Sequence, residues 1–449
     1  MLRFDKMARA TALILALLLF PMVYCWGYGF YDVGWGSQNA GLTARSLGMG
    51  GIGINSESGG SAVFVNPAQL AKADGLNVSL DYRLTYARED WSYPAHDSFD
   101  GFLVDNIYSQ SAVVYPDFGF SLGYKPKFGE YAPAFGIGYY PLRDFRYNYQ
   151  EEVREPSGYA QPADRDSLIS INSVRNSGKY YYIGLGAGWE LNRNLLVGAS
   201  YNYAPAVGGS ERKFYADVLH VDTSVADTGS RSIIDPDASG YILVGFNVRP
   251  DDRFEFGFTY QSEHTAEATY QTRNIPLTFY QEGKFEEVNP VSLGAAFSYR
   301  PRSATFSRLE AEFHYTYWSN YRLRDKGTAT TYGADTTSAS VDTTYLDNLQ
   351  DSWEVRVGVE HRFYSNIPAR FGFRMYPNPD NRRVFATVVS VGTGFMIDQI
   401  QVDLGGALTT RVSRQSSWFG NANLWDAEIN RLKESHLSGT VSVSYRFGI

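Results

Sequence analysis

The stretch "LNVSLDYRLTY", residues 76–86, alternates strictly between apolar and polar side chains. The apolar set is Leu76, Val78, Leu80, Tyr82, Leu84 and Tyr86, and the polar set is Asn77, Ser79, Asp81, Arg83 and Thr85. Because successive side chains of a β-strand point to opposite faces, a period of two predicts a strand with one apolar and one polar face. The stretch therefore indicates a sheet whose two faces meet different environments.

The same alternation recurs along the chain, for example in "YYIGLGAGWEL", "RFEFGFTYQ" and "RLEAEFHYTY". Fourteen such segments are predicted as strands, and most have about the ~9–11 residues that a tilted membrane strand needs. The predicted strands are 76–86, 117–125, 132–147, 178–191, 195–204, 240–249, 253–261, 289–299, 306–317, 353–363, 368–376, 386–396, 399–410 and 436–447.

The connections between these strands alternate in length. Short turns include 192–194, 250–252 and 397–398, whereas the long polar connections are 87–116, 148–177, 205–239, 262–288, 318–352 and 411–435. Short turns at one end and long loops at the other are typical of an outer-membrane barrel. We therefore predict an all-β fold, a transmembrane antiparallel β-barrel of about 14 strands.

A soluble β-sandwich also contains alternating strands, and periodicity alone does not distinguish it from a barrel. The alternating loop lengths, an export signal and the tryptophan positions favour the membrane. Trp318 and Trp353 fall at long-loop ends of strands and Trp189 near a short-turn end, as in aromatic girdles. The expected location is the outer membrane of a Gram-negative-type bacterium, in contact with its lipid.

The first residues predict export. Three basic residues precede an apolar run over 10–23, which is typical of a signal peptide, here predicted over 1–25. Cys25 is the only cysteine, so no thiol chemistry is expected in the mature chain. The net charge of −8 argues against a strongly basic nucleic-acid-binding protein, and no nucleic acid partner is expected.

A glycine-rich stretch, "SLGMGGIGINSESGG" at residues 46–60, precedes the first strand. It lacks the closing Gly-Lys-Ser/Thr of a phosphate-binding loop and is not flanked by an alternating strand and helix unit. Two interpretations remain. The segment 26–75 is a flexible leader, or it folds inside the barrel 76–449 as a hatch, with glycines that allow close approach to the wall.

"ARSLGMGGIGIN" followed by "SAVFVNPAQLA" resembles the amino-terminal hatch of FadL-type outer-membrane transporters. The residues that carry this resemblance are Asn66, Pro67 and Ala68, with Gly48, Gly50 and Gly51 before them. The resemblance implies a barrel of 14 strands that takes up long-chain fatty acids or other hydrophobic compounds passively, with a hydrophobic small molecule as ligand and no cofactor. The same phrase is similar to that of PorV-like barrels, so protein secretion or surface attachment is the alternative.

Pro141 lies inside the third predicted strand, close to Gly138 and Tyr140. Proline cannot donate to the ladder, so it predicts a bulge or kink. FadL-type proteins have a kinked third strand that forms a lateral door, and the alternative is a harmless bulge. We expect capture by outer-loop aromatics, an apolar pocket between hatch and wall, and exit past Pro141. The aromatic candidates are Trp91, Tyr93, Tyr108 and Tyr115.

Charged residues crowd the polar face of the later strands. They are Arg308, Glu310, Glu312, Glu354, Arg356, Glu360, Arg362, Arg370 and Arg374. Their mixed signs favour a salt-bridge network between wall and hatch over a site for a ligand carboxylate. His314 lies among them without a nucleophile motif, and the histidines lack metal-binding spacing. We therefore expect no catalytic residues, no metal and no enzymatic activity.

The chain ends in "VSVSYRFGI", with Tyr445 and Phe447 on the apolar face of the last strand. This ending is similar to the aromatic signal by which barrel-assembly machinery recognises its clients, although Gly448 and Ile449 displace it by two residues. The similarity implies that machinery as a partner during biogenesis.

Overall fold

The computed structural model describes residues 29–34, 36–38, 40–127, 132–154, 168–206, 210–302, 307–333, 335–345, 349–363, 367–416, 418–419 and 430–447. The predicted signal peptide and the last two residues lie outside these ranges.

Fourteen antiparallel strands form one closed barrel. They are β2 Gly75–His96, β3 Phe102–Lys125, β4 Ala134–Asp144, β7 Lys179–Asn192, β8 Leu195–Ala204, β11 Ser239–Val248, β12 Phe254–Gln261, β15 Ser292–Tyr299, β16 Ser307–Thr316, β19 Ser352–Arg362, β20 Pro368–Pro377, β21 Phe385–Ile397, β22 Ile400–Arg414 and β23 Arg431–Phe447. Pairing of β4 with β7 and of β2 with β23 closes the ring. The prediction of a barrel with this number of strands is confirmed.

The remaining long strands form a second, eight-stranded sheet at the long-loop end, here called the outer sheet. Its members are β5 Tyr147–Arg154, β6 Leu168–Ser177, β9 Arg212–His220, β10 Thr228–Pro236, β13 His264–Ile275, β14 Phe279–Asn289, β17 Arg322–Thr331 and β18 Thr337–Tyr345. Four of the connections predicted as polar loops therefore contain strands of this sheet, and β2 and β3 cover most of a fifth, 87–116, so that prediction was wrong. Side chains of β18 are exposed along almost its whole length, so backbone pairing forms this strand without an apolar stripe.

The barrel wall is apolar outside and polar inside. Leu80 is 51% exposed, whereas its neighbour Asp81 is only 4% exposed. Phe313 and Glu312 repeat this contrast on β16. Such an exterior is stable only when lipid covers it, because exposed apolar area is costly in water. None of the helices in the described part of the chain has the length and apolar character needed to cross a bilayer.

The tryptophans follow the girdle prediction only in part. Trp189 is exposed on the outer face, as predicted. Trp318 was wrongly assigned to a girdle, because it begins the short 3₁₀ helix Trp318–Asn320 and packs inward against Tyr321 and Leu349.

The amino-terminal chain lies against the inward face of the wall. It forms the 3₁₀ helix Phe30–Asp32, β1 Ser37–Gln38, α1 Ala44–Gly48, and the 3₁₀ helices Gly60–Phe64 and Pro67–Lys72. We call residues 40–74 the inner segment. Thr43 caps α1 by accepting a hydrogen bond from the Ser46 N–H, since the first N–H groups of a helix need partners. Most side chains of the inner segment are buried.

Candidate functional site

The Asn-Pro-Ala triplet is fastened to the wall. Asn66 is buried, and its Nδ2 donates to Ile54 O and to Asn247 Oδ1, both at 2.8 Å. Its Oδ1 accepts from the Ala68 N–H at 3.1 Å, which caps the helix that Pro67 begins. A Cβ added at the facing Gly245 would lie 2.0 Å from Asn66 Oδ1. The wall therefore has a glycine where this asparagine approaches.

The glycines Gly48, Gly50 and Gly51 allow the turn after α1. Gly50 and Gly51 have φ values of 78° and 81°, a region that favours glycine. The Gly50 N–H donates to Ser390 Oγ at 2.8 Å. A Cβ on Gly48 would lie 2.9 Å from the backbone of Gly392. Gly48 and Gly50 therefore lie where the inner segment approaches the backbone of β21 and β20, whereas Gly51 lies against Ala40 and Gly41 of the same segment.

The predicted inward charges come together around the inner segment. Glu312 Oε1 accepts from the N–H groups of Gly53 at 2.7 Å and Ile54 at 2.6 Å. Glu310 accepts from the Asn55 N–H at 3.2 Å, and Arg308 donates to Asn55 O at 2.8 Å. These side chains thus satisfy backbone groups of the inner segment that have left regular structure.

A second group of charges joins α1 to the wall. Glu360 pairs with Arg45 of α1 at 3.0 Å and with Arg370 at 2.7 Å, while Arg370 also pairs with Asp403 at 2.7 Å. Glu354 accepts from both Arg356 and Arg374, and Arg362 pairs with Glu360 at 3.4 Å. The mixed signs in the sequence therefore correspond to paired charges.

His314 takes part in the same network. Its Nε2 lies 3.0 Å from Glu312 Oε2. Within the described ranges, no cluster of histidine, cysteine and carboxylate side chains could hold a metal ion.

Sequence reasoning missed Glu57, which connects two parts of the inner segment. Its carboxylate accepts from Thr43 Oγ1 at 3.1 Å and from Ser61 Oγ at 2.7 Å. No pattern in the sequence distinguished it from a surface carboxylate.

The wall is interrupted next to Pro141. Pairing of β3 with β4 ends at Phe120 and Tyr139, whereas β4 continues to pair with β7 as far as Asp144, with an irregularity after Pro141. Beyond Phe120, β3 leaves β4 and approaches β5, where Ser111 Oγ donates to Asn148 O at 2.6 Å. We call the gap between 113–119 and 140–144 the side opening.

The amino-terminal chain occupies part of the edge that β3 leaves. Ser37 and Gln38 of β1 pair with Asp144 and Arg143 of β4. The opening is therefore bounded by two wall strands and by the chain that precedes α1.

Tyr140 closes the side opening from the inside. The side chain is 2% exposed, and its hydroxyl donates to Asp81 Oδ2 at 2.5 Å. The ring lies against Gly119, where a Cβ would approach it to 2.1 Å, and it meets Phe64 edge to face at 5.6 Å. A space of only about 20 Å³ remains at this place, room for about one water molecule.

Asp81 connects Tyr140 to the inner segment. It accepts from Ser442 Oγ, and Ser442 Oγ accepts from the Ala44 N–H at 2.7 Å. The first residue of α1 is therefore two hydrogen bonds away from the carboxylate that holds Tyr140. The alternation in residues 76–86 predicts Asp81 on the polar face of its strand, but no motif assigns it a role.

A larger cavity of about 220 Å³ lies between the inner segment and the wall. Its lining combines apolar and aromatic side chains with charged and amide groups, including Arg143, His264 and Asn289. The prediction of an apolar pocket was therefore wrong in its chemistry. Burial lowers the pKa of His264 to about 4. The imidazole of this outer-sheet residue is neutral at pH 7.

The four aromatic residues predicted to capture ligands lie on strands β2 and β3, not in loops. Trp91 and Tyr115 are almost fully buried, and Trp91 packs against Phe30 at 5.4 Å. The exposed capture role was wrong for these two. Tyr93 and Tyr108 lie together on the hairpin, with ring centroids 6.0 Å apart.

At the carboxyl end, β23 pairs with both β22 and β2. The rings of Tyr445 and Phe447 are in contact, with centroids 4.4 Å apart.

Comparison with known proteins finds similarity at the level of structure. No family model matches the sequence, and no curated protein matches it either. A FadL homologue of Pseudomonas aeruginosa is similar over 91% of this chain and 99% of its own, with a TM-score of 0.60 and 13% identity. The toluene transporter TodX of Pseudomonas putida is similar across 91% of this chain and 99% of its own, with a TM-score of 0.57 and 15% identity. The toluene transporter TbuX of Ralstonia pickettii is similar across 91% of this chain and 98% of its own, with a TM-score of 0.53 and 16% identity.

These similarities extend the resemblance seen around residues 66–68 to nearly the whole architecture. The chain has the fold of the FadL-type outer-membrane transporters of hydrophobic compounds.

Proposed function

We propose that the protein carries hydrophobic compounds passively across the outer membrane and releases them sideways through the side opening. The observation that carries this proposal is the loss of β3–β4 pairing next to Pro141, with the buried ring of Tyr140 filling the gap. A diffusion pore for polar solutes needs an open lumen. Here the inner segment is hydrogen-bonded across the lumen to several strands.

The pathway has three stages. A compound is captured at the outer hairpins, passes to the cavity between the inner segment and the wall, and leaves when Tyr140 moves away from Gly119. Leu142 and Arg143 line that cavity and follow Pro141 directly. The cavity and the opening are therefore adjacent.

The driving force is removal of apolar surface from water, about 0.8 kcal/mol per methylene group. A lateral exit delivers the compound to the hydrocarbon region without return to water. Long-chain fatty acids, named by the sequence resemblance, and smaller compounds such as the toluene carried by the similar transporters are the candidate substrate classes.

Uptake measurements test the lateral exit. Pro141→Val restores a backbone donor at the interruption, and we expect slower uptake of a radiolabelled hydrophobic compound by cells that have no other such transporter. Pro368→Val at the start of β20 is the matched control and should leave uptake unchanged. Equal uptake by both variants and the wild type would exclude the side opening as the exit.

One observation favours a second candidate function, attachment or secretion of a protein partner. The tip of the β2–β3 hairpin carries exposed apolar side chains, with Phe99 at 90% and Leu103 at 62% exposure, and such patches often bind other proteins. Mass spectrometry of the detergent-extracted protein separates the two candidates. A retained hydrophobic small molecule supports transport, whereas a stoichiometric protein partner lost on Phe99→Ser substitution supports attachment.

A further inference from the structure

The cavity between the inner segment and the wall has a definite size. Its volume is about 220 Å³, whereas an apolar cavity of about 150 Å³ is enough to bind benzene. Phe64, Leu142 and Leu243 contribute apolar surface, and Tyr182 and Tyr241 lie side by side with ring centroids 5.7 Å apart. The cavity therefore fits a single substituted ring or a compound of similar size, and it is too small to enclose an extended long-chain fatty acid.

The charged groups of the lining are already neutralised. Arg143 pairs with Glu287 at 2.8 Å, and Arg356 pairs with Glu354 and donates to Gly51 O at 2.6 Å. A buried carboxylate needs a cation that is not already paired. In the part of the lining that the structure describes, each arginine has a carboxylate partner, so the cavity does not favour an anionic ligand.

Two uncharged polar side chains in the lining have nitrogen atoms without a hydrogen-bond partner in the described part of the chain. Asn289 is 6% exposed, and its Oδ1 accepts from Arg143 at 3.0 Å, which determines the orientation of the amide. Its Nδ2 has no hydrogen-bond partner among the described residues, nor does either ring nitrogen of His264 at ordinary hydrogen-bond geometry. The His264 ring packs against Tyr241 at 5.3 Å.

Unpaired buried polar groups are unfavourable and call for a partner. A neutral imidazole has one donor and one acceptor, and the Asn289 amide adds a donor. The low pKa of His264 agrees with its neutral form. A hydroxyl group, which both donates and accepts, complements this pair of side chains.

We propose that the cavity binds small amphipathic compounds with one uncharged hydrogen-bonding group, above all phenols and aromatic alcohols, through Asn289 and His264. This inference rests on the proposed transport function and names its substrate class. The ring of the ligand packs against Leu142, Leu243 and the tyrosine pair, and its hydroxyl bonds to Asn289 Nδ2 and to a ring nitrogen of His264.

Calorimetric titration of the full protein in lipid nanodiscs, with empty nanodiscs as the blank, tests the proposal. The probes are p-cresol, toluene and 4-methylbenzoate, which share one ring and differ in a single group. We expect the wild type to prefer p-cresol over toluene by about 3- to 10-fold, the usual effect of a neutral hydrogen bond, and to bind 4-methylbenzoate more weakly than p-cresol.

Two variants remove the hydrogen-bonding groups while keeping the shape. His264→Phe retains the ring beside Tyr241, and Asn289→Leu retains a side chain of similar size but loses the amide, while Arg143 keeps its bond to Glu287. Each should reduce the preference for p-cresol over toluene to about 1- to 2-fold. His220→Phe on β9, away from the cavity lining, is the control and should keep the wild-type preference.

The outcomes separate this inference from the transport proposal. If toluene and p-cresol bind equally well, or if both variants keep the preference, the hydroxyl site is refuted and transport still stands. Tighter binding of 4-methylbenzoate refutes the uncharged class. If none of the probes binds or is taken up, both proposals fail. Heat-modifiable gel migration shows which variants fold. If neither variant folds, the order in which the wild-type protein binds the three probes still decides the question.

Discussion

Tyr140→Phe is the sharpest test of how the side opening is held closed. The change removes one hydroxyl and keeps the ring that lies against Gly119. In the closed state the hydroxyl donates to Asp81 at 2.5 Å inside the wall, and opening must break this bond when the ring moves. The variant should therefore shift the equilibrium towards the open state.

The size of the shift follows from the chemistry of the bond. A hydrogen bond to a charged group contributes about 1.5–3 kcal/mol, which corresponds to roughly a 10- to 150-fold change in an equilibrium constant. Asp81 keeps its bonds from Ser79 and Ser442, so the lower end of this range is expected. Uptake should rise until another step becomes limiting.

Initial uptake rates of a radiolabelled hydrophobic compound, measured below saturation and normalised to folded protein, give the readout. The matched control is Tyr270→Phe in the outer sheet, which removes a comparable bond to Asp325 of 2.6 Å far from the opening. We expect at least a several-fold increase for Tyr140→Phe and none for the control. If cells carrying each of the two variants take up the compound at the wild-type rate, the hydrogen bond from Tyr140 to Asp81 does not hold the side opening closed.

Three further predictions concern the inner segment, the charge network and pH. Asn66→Ala removes a helix cap and two buried donations, so about 2–4 kcal/mol of anchoring is lost and limited proteolysis should cut the inner segment faster than in the exposed control Asn106→Ala. Arg370→Met leaves Glu360 and Asp403 without their shared partner and should lower the free energy of unfolding in urea by about 3–5 kcal/mol. The control Arg324→Met removes one member of an exposed pair and should change this free energy by less than about 1 kcal/mol. Similar urea midpoints for the two variants would show that the buried charge network does not stabilise the fold. The pKa of His264 is about 4 in the folded chain and about 6.5 when the chain is unfolded. Between these values only the unfolded state binds the proton, so the stability of the protein falls as the pH drops through this window. The urea midpoint should therefore decrease from pH 7.5 to pH 5 more in the wild type than in His264→Phe, and equal decreases would refute this.

Many residues of the candidate site could be recognised in the sequence by their type, but the groups that they contact could not. Asn66, Gly50 and Pro141 stood out because a cap, a left-handed turn and a missing donor are local properties. Glu310 and Glu312 were placed on the inward face by period alone. That their oxygens accept from the backbone of residues 53–55 depends on a contact across more than 250 positions of sequence, which periodicity does not encode.

The outer sheet and the aromatic residues show the opposite limit. Strands such as β18 have both faces in water, so they carry no alternation for the sequence to reveal. Trp91 was assigned to an outer loop, and Trp318 to the membrane interface by its position at a strand end, yet neighbouring elements cover both. Burial of a large side chain depends on what packs over it.

The sequence by itself determined the number of barrel strands, their inward and outward faces, and the end at which the long connections lie. These features follow from a period of two residues and from the difference between lipid and lumen. Each strand shows this alternation in its own residues, without contacts to distant parts of the chain. The tertiary structure alone decided the side opening, the Tyr140–Asp81 bond and the cavity of Arg143, His264 and Asn289. Each of these joins groups from strands far apart in the chain, and their distances are set only when the barrel closes around the inner segment.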